Sequence, residues 1–196
     1  GEGCWMAAVG DVCGKGAAAA ALTALARYTM RAAAMREDEP AAVLSALNEA
    51  MIRQLEGGDQ FCTVVCARLR PADGHGFELT VARGGHPAPL VLRADGSIEM
   101  LDPPGKALGV FPDPGLEVQR VRLGAGDAAV FYTDGIVEAR GPDESFFGEE
   151  RLRALLRSCA GLAAPTIAER LRDVTLEYGE GSPRDDLAVL VLRVPE

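Results

Sequence analysis

Three aspartates in this 196-residue chain stand where an apolar run meets a turn. Asp11 follows the apolar residues 5–9 and opens the stretch Asp11-Val12-Cys13-Gly14-Lys15-Gly16, after which five alanines begin. Asp134 follows the apolar residues 128–133 and precedes Gly135; Asp185, with Asp186 beside it, precedes the apolar residues 187–194. Carboxylates brought to one place repel one another unless a cation lies among them, and hard oxygen donors favour Mg²⁺ or Mn²⁺ over zinc. Two such ions bridged by a carboxylate can bind a phosphoryl group and acidify a water for in-line attack on phosphorus. The glycines after Asp11 let backbone approach a ligand, and a helix N-terminus there adds positive potential. Taken singly, each aspartate reads better as a turn or cap residue. The three together, with the Gly-Lys-Gly turn, read as a metal and phosphate site.

The elements that must position them follow from pattern. Residues 5–9 read as a buried strand and 17–36 as an alanine-rich helix, with Thr23, Arg27 and Arg31 as its polar stripe. A second helix starts at the acidic turn before Pro40, carries Leu44, Leu47, Met51 and Leu55 on one face, and ends at Gly57-Gly58. Strands are expected over 61–69 and 77–82 around a turn at 71–76, then over 90–93 and 98–101 as a hairpin. A Pro/Gly-rich loop covers 102–115. In 116–123 the apolar phase slips between Val118 and Val121, which suggests a bulge, and 128–133 reads as buried on both faces. Two helices follow the loop 140–148, one carrying Leu152, Leu155 and Leu156, the other Ile167, Leu171, Val174 and Tyr178; a loop over 179–184 and a last strand over 187–194 close the chain. If that last strand runs antiparallel to those ending at Asp11 and Asp134, all three acids reach one sheet end. Alternating βαβ units are absent, so the expectation is α+β: antiparallel sheets covered by helices.

The composition agrees with one compact domain over residues 1–196, with 48% hydrophobic and 25% charged residues. A net charge of −9 argues against nucleic-acid binding and requires local positive charge, such as metal ions, for any anionic substrate. Five scattered cysteines, an odd number, fit reduced thiols in the cytoplasm rather than a disulfide framework. No run has the length of a membrane span, and no signal peptide is evident. The chain starts with Gly1 and enters a strand almost at once, which suggests a domain excised from a larger protein.

Five short motifs occur in order along almost the whole chain: Gly10 to Gly16, Gly84-Gly85-His86-Pro87, Gly126-Asp127, Tyr132-Thr133-Asp134-Gly135-Ile136-Val137-Glu138-Ala139, and Arg184-Asp185-Asp186. The set resembles the SpoIIE/RsbU-type phosphatases, the bacterial branch of the metal-dependent (PPM) Ser/Thr protein phosphatases. The resemblance implies an α-β-β-α sandwich, two mainly antiparallel sheets flanked by helices, with a binuclear Mn²⁺ or Mg²⁺ centre. It implies that Asp11 bridges the metals with the Val12 carbonyl as a nearby ligand, and that Asp134 and Asp185 hold the other metal. The implied substrate is a phosphoserine or phosphothreonine on an anti-sigma-factor antagonist. Because the first two helices follow Asp11 directly, an upstream sensor domain or a dimer partner is expected to regulate the site through them. The family also carries an acidic motif on a strand before this chain begins, so a chain lacking that strand lacks one ligand of the second metal. A catalytically incomplete module that binds a regulatory partner is the alternative expectation.

Among the remaining residues, Lys15 and Gly16 are candidates for contact with phosphate or partner, with a solvated turn as the equal alternative for Lys15. Glu138 and Asp186 read as supporting acids or surface residues. Strand alternation points Asp185 and Asp186 apart, so one of the two is expected to bind metal. His86 is expected to shape its loop, and Cys13 stands where distant relatives carry a histidine, so no side chain is assigned as general acid. Cys62 and Arg68 match a Cys-x5-Arg spacing, but their β-forming context excludes a thiolate site. Cys62 and Cys66 lack partners for zinc, and Gly10 to Lys15 lacks the spacing and the following Ser or Thr of a Walker A loop.

Overall fold

The computed structural model describes residues 3–55, 60–72, 76–181 and 185–196. The expected helix stop at Gly57-Gly58, most of the turn before Gly76, and Arg184 lie outside the described residues. The chain forms two compact units, Gly1–Ala88 with Asp102–Arg122, and Pro89–Leu101 with Leu123–Glu196.

The first unit holds β1 (Trp5–Val12), α1 (Ala17–Ala33), α2 (Pro40–Leu55), β2 (Cys62–Pro71), β3 (Phe77–Gly84) and all but the last residue of β6 (Val118–Leu123), with the sheet order β1-β2-β3-β6. Proline at the first position of α2 is tolerated because its missing N–H has no helical partner there. The expected apolar stripe is realised: Leu44, Leu47 and Met51 are fully buried. They form one cluster with Leu22 and Ala26 of α1 and with Cys62, Val64, Cys66 and Ala82 of the sheet. Each such leucine contributes about 1.5–3 kcal/mol by leaving water. Cys62, Val64 and Cys66 of β2 face this cluster, while Val65 and Ala67, equally buried, face the other way. The same two-sidedness explains the slip seen in 116–123. Leu116 and Val118 pack on the helix cluster, and Val121 and Leu123 are buried on the opposite face. No bulge is needed to account for it.

Helix α1 ends at Ala33, three residues before its expected end, and turns through backbone bonds from Arg36 and Glu37 to the Ala33 carbonyl. Strand β1 is longer than expected. It continues through Asp11 and Val12, which pair with Thr63 and Cys62 in an antiparallel ladder.

The second unit holds β4 (Leu90–Leu92), β5 (Ile98–Met100), β7 (Ala128–Tyr132), α3 (Gly148–Arg157), α4 (Ala164–Tyr178) and β8 (Val189–Arg193), with the sheet order β5-β4-β7-β8 and antiparallel pairing throughout. All five residues of β7 are buried, as the unbroken apolar run implied. Val130 and Tyr132 join Leu152, Leu156, Ile167 and Leu171 of the helices in one core. The expected hairpin at residues 94–97 is present, closed by Arg93 N–H to the Ser97 carbonyl at 2.9 Å. Among the described residues the architecture is α+β, each unit holding one four-stranded sheet and a helix pair. Among the described residues no helix is long and apolar enough to cross a membrane.

Candidate metal centre

Asp134 and Asp185 meet at one end of the second unit's sheet. Strand β7 ends at Tyr132 opposite Val189, and the pairing continues one step: Thr133 N–H reaches the Ala188 carbonyl at 3.1 Å. The Thr133 hydroxyl donates to the Asp186 carbonyl at 2.8 Å and accepts from the Ala188 amide at 3.0 Å. This clasp holds the lead-in of β8 against the exit of β7. Gly135 lies so close that a Cβ there would stand 2.6 Å from the Asp186 carbonyl oxygen. Only glycine lets the two segments approach this far. Beyond it the chain makes a turn, closed by Glu138 N–H to the Asp134 carbonyl at 2.8 Å and anchored by the fully buried Ile136.

The result is a pair of carboxylates, Asp134 half-buried and Asp185 exposed, with an oxygen of each within 4.8 Å of the other. At about 4 Å, two like charges repel by roughly 1 kcal/mol in water and about 4 kcal/mol in a medium of intermediate polarity. A divalent cation between them reverses that sign. Asp185 is further fixed by its own backbone, since its Oδ1 accepts the Asp186 N–H at 2.8 Å. Asp186 is exposed and contributes its carbonyl to the Thr133 clasp. Glu138 is exposed and lines the cavity that also contains Gly135 and Asp185.

In the first unit, Asp11 uses the same device as Asp185: its Oδ1 accepts the Val12 N–H at 2.8 Å. Cys13 N–H then bonds to the Phe61 carbonyl at 2.9 Å, the last tie to β2 before the chain turns away. Gly14 and Gly16 have φ of 97° and 84°, values that side-chain-bearing residues rarely adopt. Lys15 between them is exposed, and α1 starts directly after Gly16. Asp11 faces Thr63 across the ladder, and the Thr63 hydroxyl lies 2.9 Å from His86 Nδ1. His86 is buried, and the Arg83 guanidinium bonds to its carbonyl at 2.8 Å. The Gly84-Gly85-His86-Pro87 motif thus buttresses the strand opposite Asp11, the loop-shaping role expected of the histidine.

The expectation of a single sheet end for all three acids holds for Asp134 and Asp185 and is corrected for Asp11, whose strand belongs to the other sheet. Asp127, in the Gly126-Asp127 motif, has a structural role that the sequence did not disclose. Its carboxylate accepts from Arg93 at 2.7 Å, the Ala94 amide at 2.9 Å and the Gly124 amide at 3.0 Å, tying the 94–97 hairpin to the turn before β7. The cysteines fit their expected inertness. Burial, with Asp11 nearby as a second cause, pushes the Cys62 thiol up to about 12, and burial pushes Cys66 up to about 12. Neither can serve as a thiolate nucleophile at neutral pH.

The family model "Stage II sporulation protein E (SpoIIE)" matches residues 1–195. The chain is 28% identical over 187 residues to phosphoserine phosphatase RsbU of Bacillus subtilis, covering 95% of this chain and 54% of that protein. It spans about half or less of the length of the curated relatives it matches. The SiaA-PP2C domain of Pseudomonas aeruginosa superposes with a TM-score of 0.82 at 25% identity, covering 96% of this chain and 75% of that one. The catalytic domain of the serine/threonine protein phosphatase PstP, solved in complex with two manganese ions, shares the fold with a TM-score of 0.69 at 17% identity, covering 97% of this chain and 88% of that one.

Proposed function

The chain belongs to the SpoIIE family, and from that premise we propose that it is a metal-dependent protein serine/threonine phosphatase whose centre is held by Asp11, the Val12 carbonyl, Asp134 and Asp185. The observation that carries the reading is the Asp134–Asp185 carboxylate pair, clasped at the β7–β8 end by Thr133 and Gly135. The donor set, carboxylates and a backbone carbonyl, is hard and anionic and fits Mn²⁺ or Mg²⁺ in a binuclear arrangement. Bound there, the ions supply Lewis-acid charge to the phosphoryl oxygens and acidify a water.

The chain's own residues do the rest. Lys15 and Gly16, in the glycine turn at the start of the 17-residue α1, offer a cation and backbone amides to an anionic group. Glu138 and Asp186 support the acid pair from the turn after β7 and the lead-in to β8. The substrate class is a phosphoserine or phosphothreonine on an anti-sigma-factor antagonist in the cytoplasm. Similarity to RsbU, whose name records phosphoserine hydrolysis, supports this, as does a solved relative from Mycobacterium tuberculosis, 28% identical, that carries RsbU and RsbW domains. Helices α1 and α2 follow Asp11 directly, so an upstream sensor domain or a dimer partner acting on them can move a ligand.

The test is phosphate release from a phosphoserine peptide with and without Mn²⁺, in the wild type and in Asp134→Asn. Expected is Mn²⁺-dependent release in the wild type and a fall of at least about 100-fold in the variant, since one anionic ligand is lost. Retained peptide binding without any release in the wild type would establish the non-catalytic module instead. Undiminished release by Asp134→Asn would remove the site assignment.

A further inference from the structure

We propose that a basic cavity at the end of the first unit's sheet far from Asp11 is a binding site for a small oligophosphate anion; this goes beyond the phosphatase reading and does not depend on it. The cavity measures about 540 Å³ and is walled by Arg70, Pro71, Ala72, Glu78, Arg120 and Arg122, among others. That volume lies within the range of about 300–1,000 Å³ usual for small-ligand pockets. Thr63, the ladder partner of Asp11, and Arg70 stand seven residues apart on β2. In an extended strand that is about 23 Å, so the cavity is separate from Asp11 and the metal it is proposed to hold.

Strand order gathers the charges. Arg70 of β2 lies opposite Glu78 of β3 in the ladder, and β6 is the next strand. Arg120 and Arg122 are two residues apart on β6 and so share a face. Among the described residues, three guanidinium groups line the cavity against one carboxylate, that of Glu78, in a chain whose net charge is −9. Their charge is open to a ligand: the Arg70 and Arg120 side chains are 52% and 50% exposed. The acids beside them use these arginines only in part. Arg70 gives its Nε at 2.8 Å and an Nη at 2.6 Å to the same Glu78 oxygen, and Arg120 gives one Nη to both Glu39 oxygens, at 2.9 and 3.0 Å. Neither contact is the two-nitrogen, two-oxygen fork of strong arginine pairs, and exposed ion pairs contribute little. A guanidinium has five N–H donors, of which these contacts engage fewer than half. A carboxylate is planar and its two oxygens answer one fork. A terminal phosphoryl group carries three oxygens in a tetrahedral spread and more negative charge, which matches arginines arriving from two strands. A second, linked phosphate extends that match along the cavity.

The experiment is calorimetric titration of the full chain with sodium pyrophosphate, without added divalent cation, so that no metal bridges the probe to the acids of the proposed centre. The wild type is compared with Arg120→Gln, Arg122→Gln, Glu39→Gln and Glu49→Gln. All four positions are exposed, and circular dichroism verifies that each variant folds. Expected is saturable binding, weakened at least about tenfold by either arginine substitution, since each removes a charge-assisted hydrogen bond. Glu39→Gln should tighten binding about threefold or more, because it takes the competing carboxylate from Arg120. Glu49→Gln makes the same change of net charge beside Arg53, away from the cavity, and should leave affinity within about twofold. Citrate, with planar carboxylates, should bind at least about fivefold more weakly than pyrophosphate. No saturable binding, or unchanged affinity in both arginine variants, overturns the site. Equal tightening by Glu39→Gln and Glu49→Gln overturns it too, since overall charge then explains the binding. Citrate bound as tightly as pyrophosphate overturns the phosphate assignment.

Discussion

The Thr133 hydroxyl donates a 2.8 Å hydrogen bond to the Asp186 carbonyl, and through it the residue before Asp134 holds the residue after Asp185. One side chain therefore sets the spacing of both acids. Thr133→Val keeps the branched shape but leaves the Asp186 carbonyl and the Ala188 amide without their partner. Expected is a stability loss of about 1–3 kcal/mol in urea unfolding, and at least a tenfold weaker Mn²⁺ affinity by calorimetry. Thr133→Ser, which retains the hydroxyl, should restore most of the affinity. Equal affinity in the valine variant and the wild type would show that the clasp does not govern the pair.

Gly135→Ala tests the same junction sterically. The added Cβ would stand 2.6 Å from the Asp186 carbonyl oxygen, and that atom is backbone, so one segment has to move. Expected is a fall of at least tenfold in Mn²⁺ affinity and in phosphate release, because a displacement of about 1 Å at a reacting site costs up to 100-fold. Circular dichroism should show the helices unchanged. An alanine variant with wild-type affinity would mean that the junction is more compliant than its packing implies.

Much of this was legible in the chain. The alternation in 77–82, the unbroken apolar run 128–133 and the leucine stripe of α2 mark their elements by periodicity alone, and all three are where pattern placed them. The motif aspartates were legible because each interrupts an apolar run beside glycine or a second acid. Strand assignment to sheets was not. Whether β1 joins β7 or β2 depends on non-local pairing, which leaves no periodic trace, so Asp11 was expected on one sheet with Asp134 and Asp185, whereas its strand pairs with β2 in the other. The extension of β1 through Asp11 and Val12 was hidden by Gly10 and Asp11, poor strand formers held in the ladder by Thr63 and Cys62. Asp127 belongs to a short motif, but nothing near it in sequence announces Arg93 as its partner.

Asn48 makes a third prediction, in the first unit. It is 1% exposed, accepts the Gly109 N–H at 2.9 Å, and donates to the carbonyls of Phe111 at 3.0 Å and Pro112 at 3.3 Å. One buried amide on α2 thus holds the loop that exposes Val110 and Phe111. Asn48→Ala should lower stability by about 2–4 kcal/mol, from the loop groups left unpaired. Hydrogen exchange should show the Gly109 amide losing most of its protection. A loss below about 0.5 kcal/mol, the range of an unremarkable surface substitution, would show that the loop holds itself.

The last prediction concerns alkaline pH. Burial raises the Cys66 thiol from 9.0 to about 12. The folded chain then holds this proton more tightly than the unfolded chain. The associated stability is fully present below pH 9 and is lost as pH rises from 9 towards 12, where the unfolded state has released a proton that the folded state keeps. The limiting slope is about 1.4 kcal/mol per pH unit for one thiol. Cys66→Ala removes the titrating group and leaves a small cavity, so it should be less stable than the wild type at pH 8. Above pH 9 the gap between the two should narrow along that slope in urea unfolding. Lysines and tyrosines titrate in both chains and cancel in the difference. Parallel curves for wild type and variant from pH 8 to 10.5 would show that Cys66 reaches solvent in the folded protein.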